Sequence, residues 1–398
     1  MKSFDPLLFV EINNSNLIFF VGIYDENENL NVNYKSDIVS KFKHGNKISD
    51  TETVFNEIKE QIFFIERKFN HTFKEIIIIL DHKEFSFVNL TGFKNLNGSQ
   101  VVRENITYIL NSLKSYVDET ETKKTILHIF NSKFNLDNKK IDNLPIGLFG
   151  DFYSHELSLI LINKNEYKNL KIIFEKCNLK VKKILAKSFV ESVNTSNNHK
   201  NIETFFQIKI KDNNSKIFYF ENNTLKFQQD FNFGINIIIK DISKVTSLEE
   251  DIVKTILNKN ESLEMKTNEV VEKELFKENN YRKIKKKLIY EVALARIQEI
   301  SDIIIFKNIN LNHYSKISNV IFLQIDPNLR YKCLDKIFKL TLSSNGNNEL
   351  NFIEDSSDDS MINIAEGLVH FGWKKEAIPV SETRKTLIAR FFDKMFGQ

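Results

Sequence analysis

Residues 126–162 read ILHIFNSKFNLDNKKIDNLPIGLFGDFYSHELSLILI, two strands around a turn-rich middle. Lys124 to Phe130 and His155 to Ile162 are short, apolar runs, whereas Asn135 to Asp151 collects the Asn, Asp, Gly and Pro that punctuate regular structure. Just upstream, Ser99 to Tyr116 places Val102, Ile106, Ile109 and Leu113 on one helical face. This helix and its strands are bracketed by EIIIIL at 75–80 and KVKKIL at 180–185, both strand-like. The order predicts a small unit, about 84–163, inserted into an α/β layer.

Working outward, PLLFVEINNSNLIFFVGIY at 6–24 joins two apolar runs through Asn-Asn-Ser-Asn, which suits a hairpin because Asn tolerates left-handed backbone. Thr51 to Phe69 carries Phe55, Ile58, Ile62, Ile65 and Phe69 at helical spacing after a capping Asp50. Tyr167 to Cys177 reads as an amphipathic helix that returns to the first lobe. Ser192 to Lys200, SVNTSNNHK, is polar without periodicity and reads as a linker. Strands at 205–210, 215–220 and 225–229 follow, then a charged, mostly helical region over 244–307. Its RKIKKK at 282–287 reads as a solvated helix face. A strand at 320–324, a helix at 329–338, a loop at 343–360 and a helix at 360–371 complete the pattern.

Composition narrows the function classes. The 398 residues, 41% apolar and 27% charged, are enough for two lobes with their own cores. A net charge of +3 from 56 basic and 53 acidic residues gives no global field for nucleic acid. Without an 18-residue apolar run or a signal peptide in MKSFDPLLFVEINNSN, the chain is expected in the cytosol. Cys177 and Cys333 lie far apart and read as free buried thiols. The acidic EDSSDD in the 343–360 loop lacks the spacing and Gly of a calcium loop, so no metal is expected. His128 and His155 sit on strands without a paired acid and read as structural, and Trp373 reads as a packing or interfacial aromatic. No nucleophile constellation stands out.

The clearest physical signal is at the C-terminus. Leu387, Ile388, Phe391, Phe392, Met395 and Phe396 fall on half of a helix, Arg390, Asp393 and Lys394 on the other half, with Arg384 and Lys385 ahead. Such a helix packs on its own protein, docks on a partner, or lies in a membrane interface with its basic side chains reaching anionic headgroups.

The chain resembles the bacterial cell-division family FtsA, whose members are actin-like. The resemblance rests on the His-containing strand, acidic turn and Pro145-Ile146-Gly147 segment within 126–162, and on KNLKIIFEKCNLKVKKILA at 168–186. It rests further on EVALARIQEI at 291–300 and on MINIAEGLVHFGW at 361–373, where Ala365, Gly367, Leu368, Val369, Phe371 and Gly372 match a closing-helix pattern. The resemblance implies an α/β, actin-like (ribonuclease H-like) two-lobed fold with an inserted SHS2-type α+β domain and a C-terminal amphipathic helix. The implied boundaries are 1–83 and 164–200 for subdomain 1A, 84–163 for the inserted 1C, and 201–240 and 313–372 for 2A. Subdomain 2B spans 241–312, a linker 373–381 and the membrane-targeting helix 382–398.

In such relatives ATP sits in Gly-rich hairpins, but here the corresponding positions are Glu11, Asn13 and Asn14 in the first loop and Lys209, Lys211 and Asn213 in the second. Gln324 stands in the adenosine loop. With Gly at only 11 positions, there is little raw material for phosphate cradles. No cofactor and no enzymatic activity are therefore expected, with ATP and Mg2+ as the alternative. The implied role is an adaptor that tethers the FtsZ ring to the cytoplasmic face of the inner membrane at the division site, as a peripheral protein. The alternative is an actin-family ATPase in pilus or other membrane-complex assembly. Arg296, with Lys285, Lys286 and Lys287, is the expected site for the FtsZ C-terminal tail. Leu387, Ile388, Phe391, Phe392, Met395, Phe396, Arg384, Lys385, Arg390 and Lys394 are the expected contacts with anionic lipids. Self-association into oligomers or filaments completes the expectation, without nucleic acid.

Overall fold

The computed structural model describes residues 5–13, 16–39, 51–200, 202–259, 269–276, 281–311, 314, 320–344 and 348–377. Contacts divide the chain into unit 1 (1–203, 221–226 and 356–398) and unit 2 (204–220 and 227–355).

In unit 1, β1 (Leu7–Ile12), β2 (Asn16–Tyr24) and β3 (Leu30–Val39) form an antiparallel meander. The helix α1 (Thr51–Phe69) then leads to β4 (Glu75–Leu80), which pairs parallel with β1, and the later β9 (Lys180–Ala186) pairs parallel with β4. The sheet order is β3-β2-β1-β4-β9. Its central strands are fully buried, which explains the unbroken apolar run of Ile76 to Leu80.

Between β4 and β9 the chain builds a separate sheet. It comprises β5 (Ser86–Asn95), the helix α2 (Arg103–Thr120), β6 (Lys124–Leu136), β7 (Lys139–Ile141) and β8 (Phe152–Asn163), in the order β5-β8-β6-β7. Ile106, Ile109, Leu110 and Val117 of α2 pack on Leu157, Leu159 and Leu161 of β8. Gly92 lets the helix approach, because a Cβ there would lie 2.5 Å from Ile109 Cγ2. The strands of this sheet are longer than the sequence pattern predicts, since Asp137 and Asn138 turn the chain in left-handed backbone within NLDNKK. The chain returns through α3 (Lys164–Lys176), capped by the Asn163 side chain.

The SVNTSNNHK stretch is not a linker. Its residues 192–198 belong to α4 (Lys187–Asn198), in which Ser192, Asn194 and Thr195 are buried.

Unit 2 repeats the topology of the first sheet. Its strands are β10 (Phe205–Ile210), β11 (Ser215–Glu221), β12 (Thr224–Phe231), β13 (Val320–Ile325) and β14 (Glu349–Ile353), in the order β12-β11-β10-β13-β14. Again a hairpin pair is followed by parallel strands, β10 with β13 and β13 with β14. The helices α5 (Ile235–Thr246), α6 (Glu250–Lys259), α7 (Lys286–Ser301) and α8 (Lys332–Ser344) share one core. Ile238, Ile239 and Ile242 of α5 meet Ile289, Ala293 and Ile297 of α7 there, each large side chain worth roughly 1.5–3 kcal/mol of burial. The RKIKKK run is only partly helical: Lys285 bridges Val270 in extended backbone and α7 begins at Lys286.

Two boundaries differ from expectation. The closing helix α9 (Asp358–His370), expected in subdomain 2A, groups with unit 1, where it packs on α4 and β3. Within residues 373–377, expected as linker, Lys375 and Ala377 are bonded to β6. The acidic EDSSDD stretch is used in capping, with Ser357 accepting from the Ser360 N–H and Asp358 paired to Lys35 at 2.7 Å. Among the described residues no helix is long and apolar enough to cross a membrane.

Candidate functional site

The first loop lies between β1 and β2. The Asn13 N–H donates to the Asn16 carbonyl at 3.1 Å, and the Asn16 N–H donates to Asn13 Oδ1 at 2.8 Å, so the hairpin end closes on itself. Glu11, pointing inward from β1 and 4% exposed, accepts from Lys187 Nζ at 2.5 Å. Lys187 opens α4. Burial favours loss of its proton, yet the carboxylates of Glu11, Glu191 and Asp81 outweigh burial and hold its affinity above the ordinary lysine range. Asn14 lies outside the described residues.

The second loop lies between β10 and β11 in unit 2. The Lys211 N–H donates to the Asn214 carbonyl, and the carbonyls of Lys211 and Asp212 accept from the first amides of α5, Ile235 and Asn236, each at 2.9 Å. Two helix N-terminal donors that could serve an anion are thus taken by backbone. Gly234 makes this closure possible, since a Cβ there would stand 2.2 Å from the Lys211 oxygen. Asn213 Oδ1 accepts from Asn236 Nδ2 at 3.1 Å. Lys209 stands 3.6 Å from Asp355, and Gln324, 4% exposed, donates its Nε2 to the same carboxylate. The residues at both loops fit a triphosphate poorly. The amides of Asn13, Lys211, Ile235 and Asn236 are spent on loop carbonyls, and Lys187 and Lys209 each already face an acid.

On α7, Arg296 donates to Asp241 of α5 and pairs with Glu299 at 2.8 Å. Lys286 pairs with Glu269 at 3.2 Å and Lys287 with Glu291 at 3.6 Å. The structure brings Arg296 and the lysines onto one helix and its start, but most of their charge is answered locally. Arg384, Lys385, Leu387, Ile388, Arg390, Phe391, Phe392, Lys394, Met395 and Phe396 lie outside the described residues.

No family model matches the chain. It is similar to the protein named Cell division protein FtsA of Buchnera aphidicola subsp. Acyrthosiphon pisum (strain APS), 21% identical over 247 residues, 62% of this chain and 59% of that one. The protein of the same name from Buchnera aphidicola subsp. Schizaphis graminum (strain Sg) is 25% identical over 146 residues, 37% of this chain and 34% of that one. Among solved structures, the PilM-PilN type IV pilus biogenesis complex aligns over 92% of this chain and 98% of that one, at a TM-score of 0.52 and 10% identity. The chain is FtsA-like and has the actin-like fold. The matched region spans about three fifths of the first curated relative and a third of the second.

Several charged groups of this FtsA-like chain escaped the sequence reading. Lys226, 2% exposed, meets Glu156 and Glu221, while Lys133 pairs with the same acids at 3.8 and 3.2 Å. This charge-balanced quartet, with Lys226 and Glu221 buried and Lys133 and Glu156 half-buried, fixes residues 221–226 to the inserted sheet. The one available signal was a Lys within the apolar alternation of TLKF. Glu376 and Lys183 carried no signal at all.

Proposed function

We propose that the chain is a cell-division adaptor that holds the FtsZ ring at the cytoplasmic face of the inner membrane and helps assemble the division machinery without ATP turnover. The FtsA similarity supports the division role. The observation that carries the choice of adaptor over ATPase is the unit 1 loop, where one buried lysine stands among three carboxylates. One lysine against three carboxylates leaves the loop with an excess of negative charge, which disfavours a triphosphate. The filled second loop supports the same reading. The acidic FtsZ tail is assigned to Lys285, Lys286, Lys287 and Arg296, and anionic lipid to the amphipathic segment 382–397. Copies of the chain associate on the membrane into oligomers or filaments.

The test is reconstitution. FtsZ should sediment with anionic vesicles only when this chain is present, equally with and without ATP and Mg2+. Nucleotide should leave the melting temperature unchanged even at concentrations where a true ligand would add several kcal/mol. A rise of several degrees at micromolar ATP would transfer the weight to the actin-family ATPase reading.

A further inference from the structure

Past the end of α9 the chain does not simply leave the body. Gly372, in left-handed backbone at φ 75°, reverses it. Trp373 then donates its Nε1 to the Asn223 carbonyl at 2.7 Å. The next residues lie antiparallel along the middle of β6: the Asn131 N–H donates to the Lys375 carbonyl at 2.6 Å and the Ala377 N–H to the Ile129 carbonyl at 2.8 Å. Ala377 is 5% exposed and belongs to the apolar core of the inserted sheet.

Glu376, between these two bonds, faces the other way. Both its oxygens accept from Lys183 Nζ on β9, at 2.8 and 2.9 Å. His128 Nδ1 stands 3.8 Å from the same carboxylate, while His128 Nε2 accepts from the Ala186 N–H. Burial alone would favour the neutral acid, but His128 and Lys183 hold the carboxyl down at about 2. One short segment is therefore bonded by its backbone to the inserted sheet and by its carboxylate to the five-stranded sheet of the same unit.

We propose that Trp373–Ala377 is a clasp with Glu376 as its catch. It fixes the inserted sheet to the neighbouring sheet and sets the point from which the C-terminal segment departs. When it opens, five residues are added to the tether, about 17 Å of reach if extended, and the inserted sheet loses its cross-tie. Traction on the C-terminal segment is the signal that opens it. That use of the clasp rests on the membrane reading above; its existence does not.

The experiment compares the full chain with Glu376→Ala and with the paired Glu376→Met/Lys183→Met by hydrogen exchange and limited trypsin digestion. In Glu376→Ala, the amides of Asn131 and Ala377 should exchange at least about tenfold faster, with β4 amides unchanged. Cleavage after Lys374 and Lys375 should accelerate about as much. The paired variant, which leaves no unmatched charge, should recover most of the protection. Unchanged exchange at Asn131 and Ala377 would overturn the catch. Faster exchange spread evenly through β1 and β4 would overturn the clasp in favour of a general core role. Wild-type chain that fails to sediment with anionic vesicles would remove the membrane reading and the traction signal, leaving the cross-tie to be judged by exchange alone.

Discussion

Lys187 illustrates what a single side chain can replace. It stands at the end of β1 beside the first loop, and it neutralises the buried Glu11 from within the chain. Removing one member of such a pair strands the other charge, which typically costs 3–5 kcal/mol. Lys187→Met should therefore lower the urea-unfolding free energy by about 3 kcal/mol, and Glu11→Gln/Lys187→Met should return most of it. Equal losses in the single and paired variants would show that packing, not charge, matters there. His155 supplies a second residue-level expectation. It is fully buried between Phe134 and Tyr153, and burial pushes its affinity for a proton down to about 4. The unfolded chain, with its histidine near 6.5, then binds the proton first, so this stability is complete above about pH 6.5 and drains away as pH falls toward 4. His128, lowered by burial, acts in the same direction. Urea midpoints should decline from pH 7 to pH 5, and His155→Phe should flatten that decline.

Among elements, α5 depends on the residue before it. The 2.2 Å approach to the Lys211 oxygen involves backbone on both sides, so a methyl group at 234 cannot be accommodated by turning a side chain. Gly234→Ala should cost more than about 2 kcal/mol in urea unfolding and shift the amide signals of Lys211 and Asp212. A loss below 0.5 kcal/mol would mean the second loop is not closed on the helix. The same elements explain what could be read from the sequence alone. The β1–β2 hairpin, α1, β4 and the inserted unit were legible because their buried faces are apolar and recur at strand or helix spacing. The later part of α4 was not, because from Ser192 on its buried positions, Val193 apart, are hydroxyls and an amide: Ser192 Oγ donates to the Ser188 carbonyl, and Asn194 bonds Ser356 and Ser360. Such a face is satisfied by hydrogen bonds and leaves no hydrophobic period. The charge pairs at the loop and the clasp were hidden for another reason. Glu11 and Lys187 are 176 residues apart and Lys183 and Glu376 are 193 apart, distances at which only the folded chain discloses a partner.

Across the whole molecule, charge is nearly balanced at +3, so any attraction to an anionic surface would have to be local. Residues 382–397 combine Arg384, Lys385, Arg390 and Lys394 with six large apolar side chains and only Glu382 and Asp393 as acids. Partial burial of those side chains at roughly 1 kcal/mol each, with about 1 kcal/mol per net basic charge near anionic lipid, gives about 8 kcal/mol before the helix is ordered. Ordering removes several kcal/mol, so one copy should bind reversibly and an assembly of copies firmly. The competing fate, packing on the protein's own core, makes the opposite forecast for stability. Deleting 382–398 should leave the melting temperature within about 1 °C and abolish sedimentation with anionic vesicles if the segment serves the membrane; a fall of several degrees, with a 1 kcal/mol loss shifting a domain of this size by about 2–4 °C, would favour packing. The sharper variant is Phe391→Asp/Phe392→Asp, which puts two carboxylates into the apolar face, adding desolvation cost and repulsion from anionic headgroups. It should reduce vesicle-bound protein at least about tenfold while melting like the wild type. Retained sedimentation in that variant would place the membrane attachment elsewhere in the chain.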